Sequence, residues 1–207
     1  MGEQVAQLAE GGADWFHVDL IDGHYVSNLG FPARLIGELK TEYPHIAVDV
    51  HVMVTDPAAY VDQLAALGTD YMTFHMDATP FALRMIKAIH DKGMKAGVAI
   101  NPSHRIDALV PVLPELDMVV LMTVEPGFPA QTFLPCSLPR LKELIALREA
   151  MGLSFLISID GSVDMENAKA CAELGAEVFV TGAYTVFHQD VGIAEACRRF
   201  VRLTTPE

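Results

Sequence analysis

The sequence predicts an α/β protein of the (β/α)8 TIM-barrel type, and three observations predict it. Helix-period and strand-period hydrophobic patterns alternate strictly along the 207 residues, as in a parallel sheet covered by helices. One short unit recurs: Ala9-Glu10-Gly11-Gly12-Ala13-Asp14 returns loosely as Ala65-Ala66-Leu67-Gly68-Thr69-Asp70 and as Ala172-Glu173-Leu174-Gly175-Ala176-Glu177. Each copy is a helix end, a glycine cap and entry to a strand, so one βα unit is being reused. Polar residues also gather near the C-terminal ends of the strands, where barrels build their sites. A doubly wound open sheet would place polar groups there too, but no GxGxxG follows the first strand.

The elements follow in order. Val5, Leu8 and Ala9 stand at helical spacing over 3–10 and are closed by Gly11-Gly12. A strand is expected at 14–20, a helix at 32–40 and a strand at 46–54. Asp56-Pro57 marks a turn before helix 57–67, strand 70–76, helix 80–92 and strand 95–101. Asn101-Pro102 marks another, before helix 105–113, strand 117–123 and helix 137–151. Strand 154–160, helix 164–174, strand 178–182 and helix 192–203 complete seven strands. No linker or composition shift divides the chain, so one domain over 1–207 is expected.

Composition narrows the function. Hydrophobic residues make up 51%, enough for a full core. A net charge of −13 excludes nucleic acid and anionic membrane as natural partners. It also makes backbone amides, more than lysines, the expected hold on any phosphate. Cys136, Cys171 and Cys197 form no CxxC, which fits a reducing compartment and no thiolate zinc site. No apolar run approaches the roughly 20 residues of a membrane span, and no signal segment opens the chain. The cytoplasm is the expected location.

Side chains alternate along a strand, so the faces can be read. Val18/Leu20, Val48/Val50/Val52 and Phe155/Ile157/Ile159 give apolar faces toward helices. The opposite faces carry His17 and Asp19, His51 and Met53, Tyr71, Thr73 and His75, Asn101, Met122, and Ser158 and Asp160. An imidazole and a carboxylate two residues apart can hold one metal ion or one reacting carbon. Asp49 shares the inward face but lies deeper, and is expected to be a structural contact. His75 is expected to be hydrogen-bonded within the barrel, and Asp22 to organise its turn. His24, His45, His90, His104 and His188 are given no role.

The stretches His17–Gly23 (HVDLIDG), Asp49–Val54 (DVHVMV), Asn101-Pro102, Met122–Phe128 (MTVEPGF) with Gln131 and Phe133, Asp160-Gly161 and the VFVTG run ending at Gly182 together resemble the ribulose-phosphate 3-epimerase family, in the family's order. Asp160-Gly161-Ser162 and the stretch from Phe133 through Gly152 look more like the allulose-6-phosphate 3-epimerase branch. The resemblance implies a ketose-phosphate substrate, ribulose 5-phosphate or allulose 6-phosphate, and a divalent metal. It maps His17, Asp19, His51 and Asp160 as metal ligands, with His51 also reaching the substrate, and Asp19 and Asp160 as the acid/base pair. Inverting carbon 3 needs a proton removed from one face and returned to the other, so two carboxylates make chemical sense. Two imidazoles and two carboxylates suit zinc, and also iron, cobalt or manganese, as the Lewis acid behind an enediolate. Met53 and Met122 match methionines that cap the substrate, with ordinary barrel packing as the alternative. Relatives form dimers or hexamers, so a homo-oligomer is expected.

Phosphate is expected on backbone N–H groups of Gly127-Phe128-Pro129-Ala130, Gly161-Ser162 and Gly182-Ala183, at the loops after the last strands. The sequence departs from the family here: Pro129 offers no N–H, and Ala130 and Ala183 replace the usual glycine or small residue and serine. Ile21 stands where the family has a third methionine. The chain also starts inside the family's first helix, one strand short. If the chain is complete as written, unpaired sheet edges, reduced stability and poor activity are expected. The alternative function is a degenerate sugar-phosphate-binding relative with a regulatory or scaffold role. The absence of a lysine at an inner-face strand end weighs against decarboxylase and aldolase chemistry.

Overall fold

The strands run side by side in sequence order. The computed structural model describes residues 2–187 and 189–205, so His188 lies outside the description. The elements are α1 (Gly2–Glu10), β1 (Trp15–Ile21), α2 (Arg34–Glu42), β2 (Ala47–Met53), α3 (Val61–Ala66), β3 (Tyr71–His75), α4 (Ala82–Asp91), β4 (Lys95–Ile100), β5 (Met118–Met122), α5 (Ser137–Ala150), β6 (Leu156–Asp160), α6 (Met165–Leu174), β7 (Val178–Phe179) and α7 (Ile193–Thr204). All six strand pairings are parallel, in the order β1 to β7. A sequential order excludes the doubly wound sheet, whose order reverses at a switch point. Among the described residues β1 and β7 are not paired with each other. The helix layer does meet there: α1 packs on α7 so closely that a Cβ on Gly11 would lie 2.7 Å from Cys197 Cβ.

The two faces divide as the alternation predicts. Val18, Leu20, Val48, Val50, Val52, Ile157 and Ile159 join the main core under the helices. Ala99, Met118, Val120 and Met122 form a small inner cluster, with Trp15, Tyr71, Leu156 and Val178 against it.

The repeat has a physical basis. Gly12, Gly68 and Gly175 all adopt positive φ (88°, 85° and 109°), a conformation open to glycine at little cost. The acid that ends two of the copies, and Asp117 ahead of β5, tie one strand to the next. Asp70, Asp117 and Glu177 accept from Val48 N, Ala96 N and Ile157 N at 2.8, 2.9 and 2.8 Å. Their own N–H groups donate back to Val48, Ala96 and Ile157 oxygens at 3.0 Å. Lys40, Lys95 and Arg148 pair with the same carboxylates.

Three expected elements differ. The helix over 105–113 is replaced by two 3-10 turns, Ile106–Leu109 and Leu113–Glu115, because Pro111 and Pro114 remove donors and clash with the preceding turn. The helix over 57–67 opens as the 3-10 turn Pro57–Tyr60 before α3. The strand over 178–182 pairs only at Val178–Phe179.

Candidate active site

The register of β1 on β2 builds half of the site. His17 lies opposite Asp49, and Asp19 opposite His51. At the far side of the sheet Asp160 ends β6 beside Met122 of β5. The curl of the sheet brings these ends together: one ligand atom from each of His17, Asp19, His51 and Asp160 lies within 4.8 Å of the others. His17 Nε2 is 3.2 Å from Asp19 Oδ1 and 3.9 Å from Asp160 Oδ2. His51 Nδ1 is 3.4 Å from Asp19 Oδ1 and 3.2 Å from Asp160 Oδ2.

These residues fit a divalent ion. Metal–ligand bonds of about 2.0–2.2 Å in a tetrahedron put the ligand atoms roughly 3.3–3.6 Å apart, close to the four separations above. His51 Nδ1 is fully buried yet makes no well-formed hydrogen bond, which suits a lone pair meant for a cation. Two carboxylates balance a double positive charge. Each imidazole is also held from behind, as metal-ligating histidines are. His17 Nδ1 meets Asp49 Oδ2 at 2.8 Å, and His51 Nε2 meets His75 Nε2 at 2.8 Å.

Electrostatics agree with a cluster poised for a cation. Burial works against charge on His17, but the bonds and charges of Asp19 and Asp49 outweigh it and hold its pKa well above the usual value. His51 is likewise disfavoured by burial and favoured more by Asp160 and Asp19, which raise it to about 9. Burial would raise Asp19, yet His17 and His51 hold it far below the carboxylate range. His75, buried first and then facing His51, is pushed well below an ordinary histidine. A metal ion would take the place of the protons on His17 and His51.

Met53 and Met122 are each 3% exposed. Met122 belongs to the inner packing cluster, whereas Met53 lies across the β1–β2 register from Ile21. Gly161 follows Asp160 at φ 117°, and a Cβ there would lie 2.5 Å from Val124 Cγ2. Ser162 and Ala130 are non-glycine residues at positive φ, 49° and 64°. Asn28 Nδ2 holds the Gly127 carbonyl at 2.7 Å, and Phe128 is exposed. Gly182 starts a turn in which Thr185, Val186 and Phe187 donate to its carbonyl, leaving Ala183 and Tyr184 at the head of a short helical turn. A cleft of about 260 Å³ adjoins these loops, lined by Gln131, Thr132, Phe133, Ser162, Asp164 and Tyr184. None of the four clustered residues lines it.

Other groups find partners the sequence did not reveal. Asp22 organises its turn, accepting from His24 N, Tyr25 N and Thr55. His24 Nδ1 contacts the Asp22 carbonyl, and His90 contacts Asp117 at 2.8 Å. Sequence reasoning missed Tyr25 and Asp77, which join Asn101 beside His75. One signal was present: His75-Met76-Asp77 repeats the spacing of His17-Val18-Asp19.

A parallel barrel whose strand ends converge two histidines and two carboxylates is an enzyme scaffold with a site able to hold a divalent ion. The family model described as "Ribulose-phosphate 3 epimerase family" matches residues 1–187. Ribulose-phosphate 3-epimerase of Treponema pallidum (strain Nichols) is 39% identical over 172 residues, 83% of this chain and 78% of that one. Ribulose-phosphate 3-epimerase of Bacillus subtilis (strain 168) is 36% identical over 184 residues, 88% and 84% of the two chains. Among solved structures, KGPDC from Streptococcus mutans superposes with a TM-score of 0.72 at 19% identity, covering 98% of this chain and 91% of that one. That likeness bears on the fold. The chain belongs to the ribulose-phosphate 3-epimerase family, and the protein is an isomerase that epimerises a carbohydrate phosphate.

Proposed function

We propose that the protein inverts carbon 3 of D-ribulose 5-phosphate to give D-xylulose 5-phosphate, with Asp19 and Asp160 as the proton-transfer pair. The observation that carries this reading is the convergence of those two carboxylates with His17 and His51. Asp19 and Asp160 reach the site from β1 and β6, so one can stand on each side of a flat sugar intermediate. One removes the C3 proton; the other delivers a proton to the opposite face; the reverse reaction exchanges the roles. Asp19, half exposed, and Asp160, 15% exposed, are both within reach of an entering substrate. His17, Asp19, His51 and Asp160 would hold the divalent ion, zinc first by their chemistry and iron, cobalt or manganese next. When bound, that ion supplies Lewis-acid stabilisation of the negative charge developing on the substrate.

Phosphate is received by backbone N–H groups of Gly161-Ser162 and Gly182-Ala183, and by Gly127, Phe128 and Ala130 of a loop where Pro129 contributes none. Met53 and Ile21 supply the apolar wall, with Met122 behind it. The same reading carries one domain over 1–207, acting in the cytoplasm as a homo-oligomer, dimer or hexamer, which light scattering would size.

The test is proton NMR in deuterated water with zinc-loaded protein and each sugar phosphate in turn. Loss of the C3 signal of ribulose 5-phosphate, with xylulose 5-phosphate appearing, is expected. Faster exchange of allulose 6-phosphate would move the substrate to the hexuloses. A folded, metal-loaded sample that exchanges neither would leave a sugar-phosphate-binding protein without turnover.

A further inference from the structure

We propose that His75, Asn101 and Tyr25, anchored on Asp77, are positioning residues that fix His51 with its Nδ1 lone pair toward Asp19 and Asp160. The inference rests on the metal-site reading above.

Asp77 is a carboxylate and can only accept. The Tyr25 hydroxyl donates to its Oδ1 at 2.8 Å. Asn101 Nδ2 donates to the Tyr25 oxygen at 2.8 Å and to Asp77 Oδ2 at 3.3 Å. The amide orientation is forced, since its oxygen in that place would set acceptor against acceptor. Asn101 Oδ1 is buried without a hydrogen-bond partner. The Tyr25 ring, bonded to Asn101, stands 4.7 Å from the His75 ring, and His75 Nδ1 is likewise buried without a hydrogen-bond partner. The two atoms satisfy each other when His75 carries its proton on Nδ1. His75 Nε2 is then an acceptor, 2.8 Å from His51 Nε2. That places the His51 proton on Nε2 and, in the neutral ring, leaves Nδ1 bare.

The length of the chain has a physical reason. His17 is oriented directly by a carboxylate, Asp49. His51 and His75 are both fully buried, and one more buried carboxylate in a site that already holds Asp19, Asp49 and Asp160 would be costly. Asp77 is 40% exposed, with His104 Nε2 at 3.9 Å, so its charge stays solvated. Three neutral groups carry its acceptor preference inward.

The test combines long-range proton–nitrogen correlation of 15N-histidine-labelled protein, metal-free and zinc-loaded, with zinc affinity measured by competition against a chromophoric chelator. His75 protonated on Nδ1 is expected in both samples. His75→Phe and Asn101→Leu are expected to weaken zinc binding about 10–100-fold, with His75→Gln, which keeps an acceptor and a donor, recovering part of the loss. Tyr25→Phe removes one hydroxyl at the outer end, so a smaller loss is readable even where the buried variants fail to fold. His75 protonated on Nε2 in the unsubstituted protein overturns the proposal, as do affinities within about twofold of it in every variant. If the unsubstituted protein takes up no zinc while His75 carries its proton on Nδ1, the metal reading falls and the hydrogen-bond order is supported.

Discussion

Asp49 gives the sharpest separation between a structural and a site-supporting role. Its side chain is 2% exposed, with Oδ2 at 2.8 Å from His17 Nδ1 and Oδ1 at 3.3 Å from Thr73 Oγ1. An acceptor at Nδ1 keeps the His17 proton there and frees Nε2, the atom that faces Asp19 and Asp160. Asp49→Asn keeps the volume and one acceptor oxygen but removes the charge. A hydrogen bond to a charged group contributes about 1.5–3 kcal/mol against about 1 for a neutral pair. The difference, about 0.5–2 kcal/mol, is centred on roughly a tenfold loss of zinc affinity. Asp49→Leu removes the acceptor, strands a buried N–H and releases the tautomer, so the loss approaches about 100-fold. Competition against a chromophoric chelator near neutral pH measures both, and thermal melting of the chelated variants separates a folding defect. Asn at full affinity, together with Leu within about threefold of it, would refute the reasoning.

Asp19→Asn and Asp160→Asn should each lower turnover about 10²–10⁴-fold with circular dichroism unchanged; metal content is read alongside, and full activity in either variant ends the two-carboxylate proposal. Zinc affinity should rise with pH from about 6.5 toward 9, because the metal displaces protons from His17 and His51, whose pKa values are raised, the latter to about 9; a flat profile contradicts this. The same raised values stabilise the metal-free fold fully below the unperturbed histidine value of 6.5, and that contribution is lost as pH passes about 9. Chelated protein should therefore melt at a lower temperature above pH 9 than at pH 6.5. Gly161→Ala forces a Cβ into Val124 at φ 117°. It should cost about 1–3 kcal/mol, roughly 2–12 °C in melting temperature; an unchanged melting point would show that the turn relaxes.

Much of the fold was legible because a parallel barrel repeats one unit, and the period-two faces sorted Val48, Val50 and Val52 from His51 before any contact was known. The helix over 105–113 misled because its apolar spacing was read without weighing Pro111 and Pro114. The clustered residues were legible as HxD, DxH and a carboxylate before a glycine turn. Tyr25 and Asp77 were not: they bond across a separation of 52 positions, set by how the loop after β1 lies over β3. No local pattern encodes that approach, although the second HxD, at His75 and Asp77, marked where to look.

The two segments that build the site are complementary as strings. Trp15–Ile21 carries histidine then aspartate; Ala47–Met53 carries aspartate then histidine, at the same spacing. Parallel pairing in this register sets each imidazole against a carboxylate on the neighbouring strand, His17 against Asp49 and Asp19 against His51. A slip of one residue by either strand would turn its histidine and aspartate to the helix-facing side, burying two polar groups among valines. A slip of two would keep the faces but set Asp19 against Asp49 or His17 against His51, like against like. The apolar face and the polar face therefore select the same alignment, for independent reasons. That agreement explains how one pair of strands can be both the packing edge of the sheet and the origin of its chemistry.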